Sequence, residues 1–287
     1  MDFLLSYLVL AEIYVLLGLS TNLLVGIVGI FSVSQAAVFG VGAYIVAFFL
    51  MNTSVSFLPA LAVAAICCVV LNIVVTLPSL RVSGDYFVVT SFGIQLLATA
   101  VFTNWTGGTG GANGLPGIPP PDVFGIQLAS NAQLALLTSI MAGLGCIAFW
   151  LLMRAPFGRL LRAIREDELA VAAAGKNVLR AKVSAAALAG AFAGVSGGLY
   201  ATFLSFIDPS SFDLDASILL LTMVVVGGAR TLAGSILGPF VLLALPQLLS
   251  LVEIPTTIAA AARQLVYGLL LIVFMLFRPQ GLLGEKL

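Results

Sequence analysis

The 287-residue chain contains no histidine, only three cysteines, and charged residues at 8% of positions. Without histidine it lacks the commonest metal ligand and the commonest general base. Cys67, Cys68 and Cys146 all fall inside apolar runs, a placement that suits small packing residues and gives neither a disulfide framework nor the spacing of a zinc site. Soluble domains carry about a quarter charged residues, so 8% charge beside 61% hydrophobic residues excludes that class. With a mean hydropathy of +1.18 the chain reads as an integral membrane protein. A phosphate-binding loop is missing too. The single Gly-Lys pair, Gly175-Lys176, has Ala170 where the first glycine of the nucleotide-binding pattern belongs and Asn177 where its hydroxyl belongs. Any ATP that drives this chain is bound by another one.

Apolar runs separated by polar residues or by Gly and Pro predict an all-α, polytopic transmembrane bundle of about nine spans, within a range of eight to ten. They cover residues 3–28, 33–50, 57–77, 86–102, 132–152, 181–205, 216–229, 231–252 and 263–277, and the whole of 1–287 reads as one transmembrane domain. The N-terminus has no basic segment and no small-residue cleavage site, so it is expected to be the first span.

Charge is segregated although the net charge is zero. Residues 153–183 hold Arg154, Arg159, Arg162, Arg165, Lys176, Arg180 and Lys182 beside Glu166, Asp167 and Glu168. If the loop 153–182 is cytoplasmic, counting spans outward places eleven of the twelve basic residues inside and leaves only Arg263 outside. The N-terminus is then external and the C-terminus cytoplasmic. The Gly- and Pro-rich loop 103–131 and the acidic stretch 206–217 lie on the outer side. There they are expected to form an ordered or semi-ordered cap, read either as a surface on which an external protein docks or as a plain solvated loop. Gly107, Gly108, Gly110 and Gly111 do not make a phosphate cradle, since no lysine or amphipathic helix follows them.

Within the basic loop a short helix can be read from its ends. Asp167 is a good N-cap, Glu168 puts negative charge in the first turn, Leu169 to Ala174 is mostly alanine, and Gly175 stops the helix. Two turns are marginal in water, so support must come from outside the segment. The plain reading is a positively charged loop that only sets topology; the sharper one is a coupling helix docked on a soluble motor subunit.

Two stretches mark candidate discontinuous helices. Residues 26–44 mix Gly26, Gly29, Gly40 and Gly42 with Ser32, Ser34 and Gln35, and residues 224–239 repeat the pattern as VVVGGARTLAGSILGP. Interrupted segments in corresponding positions point to a transport site, and tight helix packing by small residues is the competing reading. Ser32, Ser34 and Gln35 are therefore candidates for the translocation pathway. Glu12 joins them, because an ionisable residue at such depth is costly unless it faces a cavity or a partner.

Four separated motifs in order, FSVSQAAVFGVGAY, NWTGGTGGANGLPGI, RAPFGRLLRAIREDELAVAAAGKNV and LFRPQGLLG, resemble the permease subunits of branched-chain amino-acid ABC importers, the M-type member of the pair. The resemblance runs from about Leu19 to Gly284. It implies a bacterial inner-membrane heterodimer with a second, homologous permease, two ATP-binding subunits beneath, and a periplasmic substrate-binding protein above. Lipid is the other partner and nucleic acid is not one. It also implies that Glu168 to Gly175 carries the coupling helix, with Asp167, Glu168, Ala172 and Gly175 relaying the ATPase motion. No cofactor is implied, and the chain itself is expected to be non-catalytic. Gln35 stands where the family often has histidine, and Asp85 follows Gly84 where an apolar residue is usual. The substrate therefore stays open among branched-chain or other neutral amino acids, urea and short amides, and the spans' near-absence of charge disfavours a permanently charged one. A self-sufficient channel or secondary transporter using Glu12 as a relay is the rival of a different class.

Overall fold

The computed structural model describes residues 2–53, 55–80, 84–123 and 125–250, and in the C-terminal segment 265–266, 268–269, 272–274, 276 and 281–283. In chain order its helices are α1 (Asp2–Thr21), α2 (Gln35–Asn52), α3 (Phe57–Thr76), α4 (Gly84–Asn104), the single turn α5 (Thr106–Thr109), α6 (Asn131–Arg154), α7 (Pro156–Glu166), α8 (Glu168–Ala173), α9 (Val178–Leu204), α10 (Leu214–Gly227) and α11 (Leu232–Ser250). A π-helical segment, Asn22–Val28, continues α1 without a break. Four two-residue strands complete the described chain: β1 (Leu115–Pro116), β2 (Asp122–Val123), β3 (Ile126–Gln127) and β4 (Phe206–Ile207).

The molecule is an all-α, polytopic membrane protein. Among the described residues six helices are long and apolar enough to cross a bilayer: Leu4–Val28, α2, α3, Tyr86–Asn104 of α4, α6 and α9. Two shorter apolar helices follow, α10 and Leu232–Ala244 of α11, where the sequence predicts the pair 216–229 and 231–252. Of the ninth expected span, 263–277, residues 263, 264, 267, 270, 271, 275 and 277 lie outside the described residues.

α1 is buried on nearly all sides and packs against α2, α6, α9 and α11, whereas α3, α4 and α6 turn one apolar face outward. This is what a bundle immersed in hydrocarbon requires, since lipid tails are as apolar as leucine and only the centre needs protein neighbours on every side. The centre is closed by α9, whose small residues let α2 and α3 approach closely. A Cβ added to Gly197 would meet the backbone nitrogen of Ala43 at 2.7 Å, and one on Gly194 would meet Cys68 Cβ at 2.9 Å.

At one end of the bundle the loop between α4 and α6 forms an ordered cap. β1 pairs antiparallel with β4, beyond the end of α9, and β2 pairs with β3 in a small hairpin. At the other end α6 stops at Ala155, and Pro156 opens α7 at its first position, where a missing N–H costs nothing. α7 is the amphipathic element that the polar reading of residues 153–183 leaves out. Its buried Leu161 and Ile164 share a cluster with Leu19, Leu23, Leu24 and Ile27, while Arg159 and Glu166 face outward.

Candidate coupling site and buried polar seam

α8 is built as its end signals predict. Asp167 accepts a hydrogen bond from the Ala170 amide at 2.9 Å, Glu168 occupies the first turn, and none of the six helical residues is buried. At the far end Gly175 takes φ +76°, its amide donates to Ala172 O at 3.0 Å, and the Lys176 amide donates to Val171 O at 3.3 Å. That pair of bonds is a Schellman stop, which needs a left-handed residue where glycine stands. External support comes from α9, where Lys182 Nζ donates to Glu168 Oε2 at 2.7 Å. Leu169 is 82% exposed at the tip. A rigid, capped helix thus holds a bare apolar side chain outside the bundle, at the end opposite the β-paired cap.

Two helix breaks lie toward the α7 end of the bundle. After the π-helical segment, Gly29 takes φ +81°, the amides of Gly29 and Ile30 both turn back to Leu24 O, and the chain is non-helical to residue 34, where α2 is about to begin. Backbone groups buried there, such as those of Val33 and Ala37, need internal partners. α4 supplies them, because Ser91 Oγ accepts the Val33 amide at 3.1 Å and Gln95 Oε1 accepts the Ala37 amide at 3.0 Å. Gln95 also donates to Phe212 O at 2.7 Å, fastening the turn before α10. The second break, residues 228–231, separates α10 from α11 and holds Arg230 at φ +75°. The tail motif closes over it: Leu282 and Leu283 donate to Val226 O and Gly227 O at 2.9 and 3.1 Å.

Asn22, the first residue of the π-helical segment, ties that segment to the second break. Its Nδ2 donates to Thr231 O at 3.0 Å and to Ser235 Oγ at 2.7 Å, and its Oδ1 accepts the Arg230 amide at 2.9 Å. All of the Asn22 side chain's capacity within reach is thereby committed across the bundle.

Of the pathway candidates, Ser32, Ser34 and Gln35 come together and Glu12 stands apart. Ser32 and Ser34 share a hydrogen bond of 2.9 Å, and Gln35 is 1% exposed. Ser20 Oγ lies 2.7 Å from Ala189 O on α9 and 3.0 Å from Gln35 Oε1, its single proton serving one of the two at a time, while Gln35 donates to Asn72 Oδ1 at 3.1 Å and Asn72 donates to Ala186 O on α9 at 2.8 Å. Glu12 sits in the seam between α1 and α6, where Thr138 and Ser139 each donate to it at 2.6 Å. Ser20, Asn22, Asn72, Ser91 and Gln95 are the seam residues that hydropathy reasoning passes over, because one amide or hydroxyl hardly lowers the mean of an apolar window. A lone Asn or Gln inside a span is nevertheless a usable signal, since it must find a partner.

Above the seam, at the capped end, Phe39, Tyr44, Phe102 and Tyr200 surround Phe212 with ring centroids 5.3 to 6.1 Å from it. Beyond them a cavity of about 350 Å³ is lined by Thr99, Thr103, Ala112, Asp208, Pro209, Ser210 and Asp213. Burial holds the Asp213 carboxyl above the usual carboxylate range, against the amides of Ala216 and Asp215 that bond it. At the opposite end burial, with the charge of Arg230, lowers the Arg165 guanidinium from its ordinary value.

Among the described residues no group of three His, Cys, Asp or Glu is placed to hold a metal. Discontinuous helices sealed by side-chain amides and a braced, protruding helix at one end define the architecture of a transport permease. The chain belongs to the family described as branched-chain amino acid transport system / permease component, whose model matches residues 3–275. It is 29% identical over 297 residues to the high-affinity branched-chain amino acid transport system permease protein LivM of Escherichia coli K12, covering 96% of this chain and 68% of that protein. Its similarity to the probable LivM permease of Methanocaldococcus jannaschii is 25% identity, covering 79% and 68% respectively. No solved structure matches.

Proposed function

We propose that the chain is one permease subunit of an ATP-binding-cassette importer that moves branched-chain or other neutral amino acids across the bacterial inner membrane by alternating access. The observation that carries this reading is α8: a capped, protruding helix with no buried residue, braced by the Glu168–Lys182 ion pair and tipped by bare Leu169. A loop that only set topology would need neither the two end caps nor the brace. In this reading Asp167, Glu168, Ala172 and Gly175 lie on the face that seats in a groove of an ATP-binding subunit. A second permease completes the membrane part, two ATP-binding subunits perform the hydrolysis, and a substrate-binding protein docks on the capped end near the 350 Å³ cavity. The α8 end is cytoplasmic and the N-terminus is external, as the distribution of basic residues favours.

Ser32, Ser34 and Gln35 line the pathway in this scheme, at a break where side chains and bare backbone meet. In the present conformation their polar groups are bonded to one another and to neighbouring helices, which keeps a closed pathway dry. Glu12 belongs to the pathway only if the α1–α6 seam opens during transport.

The test is Gly175→Arg and Glu168→Arg in the assembled complex. Both variants are expected to insert and to pair with the second permease, yet to lose substrate-stimulated ATP hydrolysis. Stimulation at the wild-type level in both would reject α8 as the coupling element. A chain that transports when reconstituted alone would favour the channel or secondary-transporter reading.

A further inference from the structure

The described contacts include a route from the α7–α8 elbow into the middle of the bundle. Only Asp167 separates α7 from α8, so a displacement of α8 reaches the last turn of α7 with little slack. In that turn Arg165 reaches α1: its Nη1 donates to Gly26 O in the π-helical segment. Its stem lies against Gly29, where an added Cβ would sit 2.9 Å from Arg165 Cγ. Gly26 in turn abuts Asn22, since a Cβ there would overlap Asn22 Oδ1 and come within 3.0 Å of the Arg230 amide. Asn22 then carries the connection across to Arg230, Thr231 and Ser235.

We propose that Arg165 is a positioning residue that transmits movement of the α7–α8 elbow to the π-helical end of the first span and the break that follows it, and that Asn22 makes this end and the second break move as one unit. The inference rests on the coupling reading of α8 given above. A half-buried guanidinium beside a second arginine is a costly way to cap one carbonyl. Its planar fork and fixed charge suit a strut that must hold its length while both ends move. Because Asn22 uses both ends of its amide on the second break and the start of α11, the π-helical end and that break cannot shift separately without stranding buried polar groups.

The experiment uses the full complex, with the second permease, both ATP-binding subunits and the binding protein, in liposomes. Import and ATP hydrolysis are measured on the same vesicles with leucine, isoleucine, alanine and urea, and read with whichever the wild type imports. Arg165→Gln is expected to assemble and hydrolyse ATP while substrate imported per ATP falls about tenfold, inside the usual range for coupling between sites. Arg165→Lys, which keeps the charge and one donor, is expected to recover part of the loss. A role in stability alone would lower complex yield and leave the ratio intact. An unchanged ratio in Arg165→Gln overturns the proposal while leaving α8 as the coupling helix. If Arg165→Gln does not assemble, Asn22→Ala decides, because it keeps the strut and unties the second break; a wild-type ratio there overturns the proposal. If the wild-type chain binds no ATP-binding subunit, the coupling reading falls and the inference with it.

Discussion

A Cβ placed on Gly42 would lie 2.8 Å from the Cα of Gly194, so α2 and α9 touch backbone to backbone at that point. No side chain fits between them. Gly42→Val must push the helices apart and is expected to cost about 1–3 kcal/mol, the usual penalty for overpacking a filled core. Gly143→Ala on α6 is the control, since nothing lies within 4 Å of its added methyl; it is expected to stay within about 1 kcal/mol of wild type or to gain slightly. Thermal unfolding of both variants in one detergent checks the pair.

The Glu168–Lys182 pair is asymmetric, with the lysine side chain 11% exposed and the glutamate 52%. Removing the glutamate leaves the more buried ammonium alone, so Glu168→Gln is expected to loosen α8 more than Lys182→Met does. A double-mutant cycle should return a coupling of about 1 kcal/mol, between the exposed and the buried cases. Hydrogen exchange of amides 169–175 is the readout, and additive effects of the two substitutions would show that the pair does not brace α8.

Asp213 titrates in the direction opposite to a salt-bridged carboxylate. Because burial raises its folded value, the folded state binds the proton more tightly than the unfolded chain does. The cost is fully present above the folded value and shrinks as pH falls through it toward the unfolded value near 3.8. Asp213→Asn keeps a cap acceptor and removes the titration. Relative to wild type it should therefore melt higher at neutral pH than at pH about 4, the ordinary carboxylate range. A difference that does not change with pH would contradict the assignment.

Glu12→Gln separates a helix tie from a relay. The amide retains one acceptor for the Thr138 and Ser139 hydroxyls that the carboxylate now takes up with two oxygens. The expected result is a lower melting temperature with uptake kinetics unchanged at neutral and mildly acidic pH. Slowed uptake with unchanged melting would return Glu12 to the pathway.

How far each feature could be read in advance follows from the range of the interactions that form it. Spans depend on the average polarity of about twenty neighbours, and α8 on caps that lie within three residues of its ends, so both are visible locally. Gly29 and Gly228 similarly flag the breaks. α7 is less visible because its apolar Leu161 and Ile164 are diluted by Arg159, Arg162 and Arg165, and a reading by charge sees only a basic loop. What makes Gln35, Asn72, Gln95 and Asn22 informative is the identity of partners that lie far away in the chain. Gln95 meets Phe212 across 117 residues, and no local window contains both.

Asn22 also has a consequence for biosynthesis. The groups that satisfy its amide begin 208 residues later in the chain, at Arg230. At translation rates of about 5–20 residues per second, roughly ten to forty seconds pass between the emergence of the two segments. During that interval the Asn22 carboxamide has no native partner, and hydrocarbon offers none. The Asn22 end of the first helix therefore completes its polar contacts only after the α10–α11 hairpin has been delivered. Until then it depends on water or on the insertion machinery to solvate that one side chain.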